Sequence, residues 1–298
     1  MEVTITGASG FVGKNLSNFL KDNNYNIQNL SLRNKWEINK NTKTIIHLAG
    51  KAHDTANTSQ EEEYLKVNTE LTKNLFDEFL DSNIKDFIYF SSVKATADTV
   101  NGILDEENMS NPQTHYGKSK LFAEEYLLSK NLPEDKRLFI IRPCMIHGPG
   151  NKGNLNLLYK VVEKGIPWPL AAFENKRSFL SIDNLNFLVY EILKNKNVPS
   201  GIYNFADDRS ISTNDLIKII GRASGRKSRL WKLPSGMISS VAKLGDILKL
   251  PLNSERLKKL TESYEVSNEK IKHVLDIKNL PVSAEDGLLK TIKSFKNK

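Results

Sequence analysis

A glycine-rich loop near the start of the chain constrains the fold more than any other feature. The run Thr6-Gly7-Ala8-Ser9-Gly10-Phe11-Val12-Gly13 follows an apolar stretch at residues 3–6 and opens a helical pattern. Between a strand and a helix, the first glycine permits a tight turn, the second lets backbone N–H groups approach a pyrophosphate, and the third lets the helix pack on the strand. The helix N-terminus adds partial positive charge. The loop therefore predicts a dinucleotide-binding unit, with contacts from Gly7, Ser9, Gly10, Phe11, Val12 and Gly13.

The first two thirds of the chain alternate short apolar runs with amphipathic helical patterns. Helices are predicted to start near Phe11, Glu61 and Tyr116. The predicted strands cover residues 3–6, 26–30, 44–48, 87–91 and 139–142, with further strands at 178–181 and 202–205. Successive strand and helix units of this kind build a parallel sheet covered by helices. The pattern predicts an α/β fold with a Rossmann-type, doubly wound parallel sheet and a smaller, mostly helical C-terminal lobe.

The alternation of strand and helix patterns stops after Pro143, and this change predicts a second lobe. Glycine and proline interrupt residues 148–150 and 167–169, and helical patterns dominate from Thr213 onward. We expect a dinucleotide-binding Rossmann domain at residues 1–150, rejoined by residues 177–206. A substrate-binding lobe is expected at residues 151–176 and 207–298.

Composition narrows the class of partner. The 298 residues include 43 Lys or Arg and 35 Asp or Glu, a formal charge of +8 that is densest in the last third. This surplus suits anionic ligands, but it lacks the interleaved aromatic residues of nucleic-acid binders, so no nucleic-acid partner is expected. No apolar run approaches the ~18 residues of a membrane span, so no membrane partner is expected. The single cysteine, Cys144, favours a reducing compartment, and we expect a cytoplasmic protein.

The segment after the second predicted strand bears on the choice of cofactor. Folds that prefer NAD(H) usually place an Asp or Glu about 20 residues beyond the glycine loop, where it accepts from the ribose hydroxyls. Here the segment reads Leu30-Ser31-Leu32-Arg33 and contains no acid. An arginine can pair with a 2′-phosphate, so Arg33 favours NADP(H), with NAD(H) as the alternative. No metal is expected, because no third ligand accompanies His47 and His53 at metal-binding spacing.

Three polar residues form a candidate catalytic set. Tyr116 and Lys120 are four residues apart on one face of a predicted helix, and Ser92 ends the fourth predicted strand. An ammonium beside a phenol stabilises the phenolate and lowers the pKa of the phenol toward the working range. The phenol can then move a proton on or off a sugar hydroxyl while hydride passes to or from nicotinamide. We expect Ser92 to hydrogen-bond the same oxygen.

Together these motifs resemble those of the extended short-chain dehydrogenase/reductase family, specifically its NAD-dependent epimerase/dehydratase group acting on nucleotide sugars. Beyond the glycine loop and the catalytic set, the resemblance covers His47-Leu48-Ala49-Gly50, Val67-Asn68, residues 142–150 and residues 177–183. It implies a Rossmann domain that binds NAD(P) and a smaller lobe that binds a nucleoside-diphosphate sugar, expected to be UDP-linked. It also implies a homodimer formed through the helices near Glu61 and Tyr116. Ser92, Tyr116 and Lys120 match the family's catalytic triad.

The same resemblance carries over further site residues. Cofactor contacts are implied for Leu48, Ala49, Gly50, Asn68 and Pro143, in addition to Arg33, Tyr116 and Lys120. Substrate contacts are implied for Ser92, Val93, Lys94, His147, Asn154, Arg177 and Arg256. Arginine suits a bidentate clamp on a diphosphate. The alternatives are a turn role for Asn154 and a surface ion pair for Arg177.

Departures from the family pattern narrow the reaction. Dehydratases of the group follow the triad hydroxyl with Asp and Glu, whereas this chain has Val93 and Lys94, so water elimination is not expected. Arg33 favours a 4-keto reductase, and Lys94 can polarise a carbonyl. Residues 47–53 and Ser91-Ser92-Val93-Lys94 resemble the branch that reduces UDP-4-keto-6-deoxy-N-acetylhexosamines for surface polysaccharide biosynthesis, and the resemblance implies this reaction. The alternative is a UDP-sugar 4-epimerase acting on UDP-glucose, UDP-galactose or their N-acetyl derivatives. A non-catalytic NADP(H)-binding regulator is disfavoured, since such proteins typically lack the tyrosine or the lysine.

Overall fold

The computed structural model describes residues 1–51, 60–151, 154–248 and 253–296. Within these ranges a central sheet consists of β1 (Glu2–Thr6), β2 (Asn26–Leu30), β3 (Thr44–His47), β4 (Asp86–Phe90), β6 (Arg137–Pro143) and β9 (Gly201–Phe205). Two small parallel pairs are formed by β5 (Ile103–Leu104) with β10 (Glu265–Val266), and by β7 (Met145–His147) with β8 (Phe179–Ser181). The strands of the central sheet are all parallel and lie in the order β2-β1-β3-β4-β6-β9.

Helices cover both faces of the sheet and build the C-terminal lobe. In chain order they are α1 (Phe11–Asp22), α2 (Glu61–Tyr64), α3 (Leu71–Leu80), α4 (His115–Ser129), α5 (Asn154–Glu163), α6 (Ile182–Lys194), α7 (Thr213–Ser224), α8 (Ser235–Leu248), α9 (Ser254–Thr261), α10 (Glu269–Leu275) and α11 (Ala284–Lys293). A π-helical turn, Leu65–Glu70, joins α2 to α3, and a 3₁₀ turn, Val93–Ala95, follows β4. Among the described residues, no helix has the length and apolar character that crossing a membrane requires.

The central sheet reverses its direction of winding at β1, which lies between β2 and β3. Thr6, the last residue of β1, pairs with Leu30 on one side and with His47 on the other. The loops that follow these strands therefore leave the sheet side by side. The crevice at such a switch point is where sheets of this type bind ligands. The fold class predicted from the sequence is confirmed.

Both faces of the sheet are buried, which explains why its strands read as continuous apolar runs rather than as alternating ones. On one face, α1 and α6 contribute the fully buried side chains of Leu16 and Leu188. On the other face, α3 contributes Phe76. A separate cluster, to which α7 and α11 contribute Ile220 and Leu288, forms the core of the C-terminal lobe. This cluster is separate from the two that cover the faces of the sheet.

The predicted elements agree closely with the observed ones. The helices predicted near Phe11, Glu61 and Tyr116 start within one residue of those positions. The strand predicted at residues 202–205 is β9, which pairs with β6 at the edge of the central sheet. The strand predicted at residues 178–181 is β8, which pairs with β7 outside that sheet. Local patterns located both strands, but strand pairing depends on contacts far apart in the chain.

Candidate active site

The loop after β1 is pressed against the loop after β3. Gly7 has a φ of +69°, a left-handed conformation that favours glycine. A Cβ atom at Gly7 would lie 2.7 Å from the backbone nitrogen of Ala49, and one at Gly13 would lie 2.4 Å from the carbonyl oxygen of Gly7. The Gly10 N–H donates to that same oxygen at 3.0 Å. Side chains at Gly7 and Gly13 would therefore force the two loops and the helix apart.

The start of α1 has the features of an anion site. The helix begins after Gly10, and within the described residues no side chain caps its first N–H groups. Its first turn contains no acidic residue, and Ser9 and Gly10 are exposed. Uncapped N–H groups and the helix dipole favour a bound phosphate. The residues at the switch point therefore fit a dinucleotide, whose pyrophosphate these N–H groups would hold.

Asn68 links the loop after β3 to α4 through hydrogen bonds of its side chain. It lies in the π-helical turn, and its side-chain amide donates to Ser119 Oγ at 3.0 Å and to the Lys51 carbonyl at 3.2 Å. Its Oδ1 accepts from the Lys51 N–H at 2.7 Å. A Cβ atom at Gly50 would lie 2.9 Å from Asn68 Oδ1 and 3.3 Å from Lys120 Nζ. The loop expected to contact the cofactor thus lies directly beside Lys120.

Ser92, Tyr116 and Lys120 meet at the carboxyl end of β4. Ser92 is buried, caps the 3₁₀ turn and hydrogen-bonds the side chain of Tyr116. The Tyr116 ring packs edge-on against Tyr64, with ring centroids 6.0 Å apart. Lys120 is buried one turn further along α4, and its Nζ donates to the Phe90 carbonyl at 2.9 Å. The fold therefore brings together the three residues singled out as a catalytic set.

The electrostatics of this set differ from the expectation. Burial raises the pKa of Tyr116, the hydrogen bond from Ser92 lowers it, and the neighbouring Tyr64 raises it further. Burial also lowers the pKa of Lys120 to about 8, although the Glu124 carboxylate opposes that shift. The net shift of the Tyr116 pKa is therefore upward, opposite to the predicted lowering, because desolvation of the phenol outweighs the hydrogen bond from Ser92. At neutral pH, Tyr116 is a protonated phenol and Lys120 is a cation.

A buried ion pair that sequence reasoning missed lies next to the catalytic set, on the side toward the sheet. The side chains of Arg142, in β6, and Glu124, in α4, are 4% and 1% exposed. Arg142 Nε lies 3.1 Å from both carboxylate oxygens, and Ser91 Oγ donates to the same carboxylate. Because Ser91 precedes Ser92 and Glu124 follows Lys120 by one turn, the pair supports both catalytic elements. The sequence offered one signal for Glu124: it follows Lys120 by four residues, which places the two side chains on the same face of the helix.

Two cations mark the side of the site that faces the C-terminal lobe. Lys94 donates to the Asp98 carbonyl at 2.7 Å, and its Nζ lies 4.1 Å from the centroid of the Tyr264 ring. Burial lowers the pKa of Lys94 to about 8, while the charge of Asp98 raises it and that of Arg177 lowers it. Arg177 is half-buried and donates to the Lys259 carbonyl in α9. Lys94 and Arg177, both expected to contact substrate, are therefore close enough to interact.

His147 ends β7, and its side chain lies in the interior, against α11. Its side chain is fully buried, and its Nδ1 is 2.9 Å from Thr291 Oγ1. Its Nε2 is 3.6 Å from Asp207 Oδ2. A Cβ atom at Gly287 would lie 3.3 Å from the imidazole ring. The expected substrate contact of His147 is corrected to a core role, because no part of its side chain is accessible.

The other predicted site residues fall into three settings. Exposed positions are those of Arg33, just beyond β2, and Arg256, in α9. Half-buried positions are those of Phe11, Val12, Leu48 and Ala49, and buried ones are those of Val93 and Pro143. His53 and the side chain of Asn154 lie outside the described residues.

His47, at the end of β3, is buried beside the glycine loop. Its Nδ1 lies 2.6 Å from Thr6 Oγ1, and its Nε2 lies 2.9 Å from Thr72 Oγ1. Burial, with a smaller effect from the charge of Lys120, lowers the pKa of His47 from 6.5 to about 3. Between these values the unfolded chain binds more protons than the folded one. The free energy of unfolding should therefore rise with pH through this window and gain nothing more from His47 above 6.5.

Replacing His47 with glutamine should remove this contribution. In the wild-type protein His47 adds up to about 1.4 kcal/mol per pH unit to the slope within the window. Urea unfolding of both proteins across the window measures the difference. We expect the difference in the free energy of unfolding between the wild-type protein and the variant to narrow as the pH falls. The reason is that protonation of His47 in the unfolded state destabilises only the wild-type protein. Parallel curves would contradict the assignment.

Known proteins resemble this chain in sequence over most of its length. Residues 3–206 match the model of the NAD dependent epimerase/dehydratase family. A UDP-glucose 4-epimerase from Vibrio cholerae is 29% identical over 318 residues, covering 98% of this chain and 95% of the relative. An N-acetyl-alpha-D-glucosaminyl-diphospho-ditrans,octacis-undecaprenol 4-epimerase from Escherichia coli O157:H7 is 29% identical over 301 residues, covering 90% of this chain and 88% of the relative.

A solved structure with a similar fold is that of UDP-glucuronic acid 4-epimerase from Bacillus cereus in complex with NAD. Its TM-score is 0.74 at 18% identity, and the match covers 100% of this chain and 99% of that one. The family match includes the glycine loop and all three residues of the catalytic set. The resemblance drawn from the motifs is confirmed. The chain therefore belongs to the NAD-dependent epimerase/dehydratase family of enzymes.

Proposed function

We propose that this chain is a 4-epimerase of a nucleoside-diphosphate sugar that works with resident NAD(H). The observation that carries the proposal is the contact between Ser92 and Tyr116, with Lys120 buried one turn away beside the loop at Gly50. The two relatives described above are named 4-epimerases and align over nearly the whole chain. Val93, rather than an acidic residue, follows Ser92, which disfavours elimination of water at this site.

Tyr116 is the proposed proton carrier. Epimerisation at C4 requires a proton to leave the C4 hydroxyl while a hydride leaves C4 itself, and both then return, the hydride to the opposite face of the carbon. NAD, when bound, supplies the hydride acceptor and donor. Burial holds Tyr116 in the protonated form that donates to a 4-keto oxygen, and the hydrogen bond from Ser92 favours the ionised form that accepts the proton. The cationic Lys120 favours ionisation as well.

The choice of NAD(H) revises the preference drawn from Arg33. An exposed guanidinium beyond β2 can donate to a ribose hydroxyl as well as to a 2′-phosphate, so Arg33 does not separate the two cofactors. An epimerase returns each hydride that it removes and needs no supply of reduced cofactor. We therefore rank the 4-keto reductase, which consumes NADPH, behind the epimerase.

The C-terminal lobe is proposed to hold the nucleoside diphosphate, with UDP as the nucleotide. In this division, residues 1–150 and 177–206 bind the cofactor, and residues 151–176 and 207–298 bind the substrate. Lys94 and Arg177 belong to the cofactor-binding part but lie on its side toward this lobe, so we propose that they contact the diphosphate from there. Cations that are partly withdrawn from water bind a diphosphate more strongly than exposed ones. Asn154 and Arg256 are kept as further proposed contacts.

A sugar diphosphate carried on a polyprenol is a second candidate substrate. The Escherichia coli relative is named for such a substrate. In the lobe proposed to bind substrate, the apolar side chains of Ile166 and Trp231 are exposed. Measuring kcat/KM for UDP-N-acetylglucosamine and for N-acetylglucosaminyl-diphosphoundecaprenol distinguishes the two substrates.

A homodimer formed through α2, α3 and α4 is also proposed. Phe122 and Leu128 are apolar and exposed on α4. Exposed apolar residues on a surface helix favour contact with a second copy of the same surface. The molar mass from light scattering tests this assembly.

Turnover without added cofactor tests the epimerase proposal. The purified protein is incubated with UDP-N-acetylglucosamine or with UDP-glucose, and the sugars are separated by chromatography. We expect the C4 epimer to form with no net change in nicotinamide absorbance. Stoichiometric oxidation of NADPH on a UDP-4-keto-6-deoxy-N-acetylhexosamine, without epimer formation, would instead establish a reductase.

Tyr264 should position the loop that carries Ser92 and Lys94. Its hydroxyl lies 2.7 Å from the Ala97 carbonyl and 3.2 Å from the Val93 carbonyl, and it donates to both. Tyr264→Phe keeps the ring beside Lys94 but removes these hydrogen bonds, so kcat should fall about tenfold through misalignment.

The control for Tyr264→Phe is Tyr159→Phe, which removes a hydroxyl that donates to Glu163 at 3.1 Å elsewhere in the same lobe. Steady-state kinetics on all three proteins, together with the affinity for UDP, separate a loss in kcat from a loss of binding. A kcat for Tyr264→Phe equal to that of the control would contradict the positioning role.

A further inference from the structure

α8 presents an apolar face to solvent. Side chains on this face are between 46 and 77% exposed and belong to Met237, Val241, Leu244, Ile247 and Leu248. Their spacing follows the helical repeat, so they share one side of the helix. The adjoining side of the helix packs into the core of the C-terminal lobe through Ile238 and Ala242. A contiguous exposed apolar face of this kind marks an interaction surface.

The sequence around this face is strongly cationic. Residues 226–262 contain nine Lys or Arg and three Asp or Glu, a net charge of +6 out of +8 for the whole chain. Lys243 lies on α8, and the adjacent helix α9 carries the exposed residues Lys258 and Lys259. Trp231, just before α8, is also exposed. The region therefore combines aliphatic side chains, an aromatic ring and a surplus of positive charge.

We propose that this face docks on the surface of an anionic lipid bilayer, with α8 lying in the plane of the membrane. Interfacial helices carry aliphatic side chains on one face and Lys or Arg beside them, and tryptophan is enriched at the level of the headgroups. The aliphatic side chains would enter the boundary between headgroups and acyl chains, while the cations would lie near lipid phosphates. A helix in this orientation does not need the length of a membrane-spanning one.

Charge disfavours a second copy of this chain as the occupant. A two-fold contact through α8 would bring Lys243 of each copy, with Lys258 and Lys259 on the adjacent α9, toward the same cations of the other copy, and their repulsion would oppose association. An anionic bilayer instead attracts each Lys or Arg near its surface. The docking face includes none of the residues that we assign to catalysis, so the inference does not depend on which sugar is epimerised.

Flotation of the whole protein with lipid vesicles tests the proposal. We expect binding to vesicles of mixed phosphatidylglycerol and phosphatidylcholine that weakens as salt rises, and little binding to pure phosphatidylcholine. The double substitution L244Q/I247Q should reduce binding to the mixed vesicles about tenfold. The matched control is Leu157→Gln, at a leucine of α5 that is 62% exposed in the same lobe, and it should bind like the wild-type protein.

Wild-type protein that stays in solution with anionic vesicles would overturn the proposal, as would wild-type binding by the double variant. Light scattering distinguishes membrane binding from the competing explanation, in which α8 is an interface between two copies of the chain. A lower molar mass for L244Q/I247Q than for the wild-type protein, without vesicle binding by either, would make α8 an interface between copies and exclude the membrane. Turnover of a soluble UDP-sugar should be the same in the double variant and the wild-type protein. A negative vesicle result is therefore distinguishable from failure of the proposed function.

Discussion

Replacing Tyr116 with phenylalanine should lower kcat about a thousandfold, the size of effect expected when a general acid–base group is lost. The phenyl ring retains the edge-on packing against Tyr64 and removes only the hydroxyl that contacts Ser92. The free energy of unfolding and the affinity for UDP should therefore change little. Steady-state kinetics, urea unfolding and calorimetric titration with UDP measure these three quantities.

The matched control for this variant is Tyr126→Phe. Tyr126 lies on the same helix, and its hydroxyl donates to the Asp77 carboxylate at 2.7 Å, away from the catalytic set. Loss of that hydroxyl should leave turnover close to the wild-type rate. A Tyr116→Phe protein whose kcat lies within tenfold of the control would refute the assignment of Tyr116 as the proton carrier.

The second large effect is expected on stability. Arg142→Met removes the cation from the buried pair and leaves the Glu124 carboxylate without its partner behind the catalytic set. Removing one member of a buried pair typically costs about 3–5 kcal/mol, because an uncompensated charge remains out of water. Urea unfolding should show a loss of this size. An activity loss should accompany it, since Ser91 also donates to the Glu124 carboxylate.

Two further variants separate burial from the mere loss of an arginine. Arg222→Met breaks an exposed pair with Glu285, whose side chains are 60% and 46% exposed, and should cost less than about 1 kcal/mol. Adding Glu124→Gln to Arg142→Met should recover part of the loss, because no buried charge is then left unpaired. Equal destabilisation by Arg142→Met and Arg222→Met would show that the buried pair has no special role.

Features that depend on neighbouring residues could be predicted from the sequence. The turn at Gly7 and the close packing at Gly13 belong to one strand–loop–helix unit, so their spacing carries the whole signal. The same is true of Tyr116 and Lys120, which one helical turn brings together. These local units account for the agreement between the predicted and observed strands and helices.

Contacts between distant parts of the chain could not be predicted. The hydroxyl of Tyr264 reaches Ala97 across 167 residues, and His147 contacts Thr291 across 144. Local spacing predicted that Tyr116 and Lys120 are neighbours but carried no information on how far both are buried, so the direction of the pKa shift of Tyr116 was wrong. Burial is a property of the assembled fold.

The most direct test of the proposed activity follows the hydrogen atom on C4 during turnover. A UDP-hexose carrying deuterium at C4 is incubated with the purified protein in ordinary water, and the epimer is analysed by NMR. The hydride that leaves C4 returns to the same carbon in the proposed reaction, so we predict that the epimer retains its deuterium. Epimer that has exchanged its deuterium for solvent hydrogen, or the absence of any epimer, would contradict the assignment.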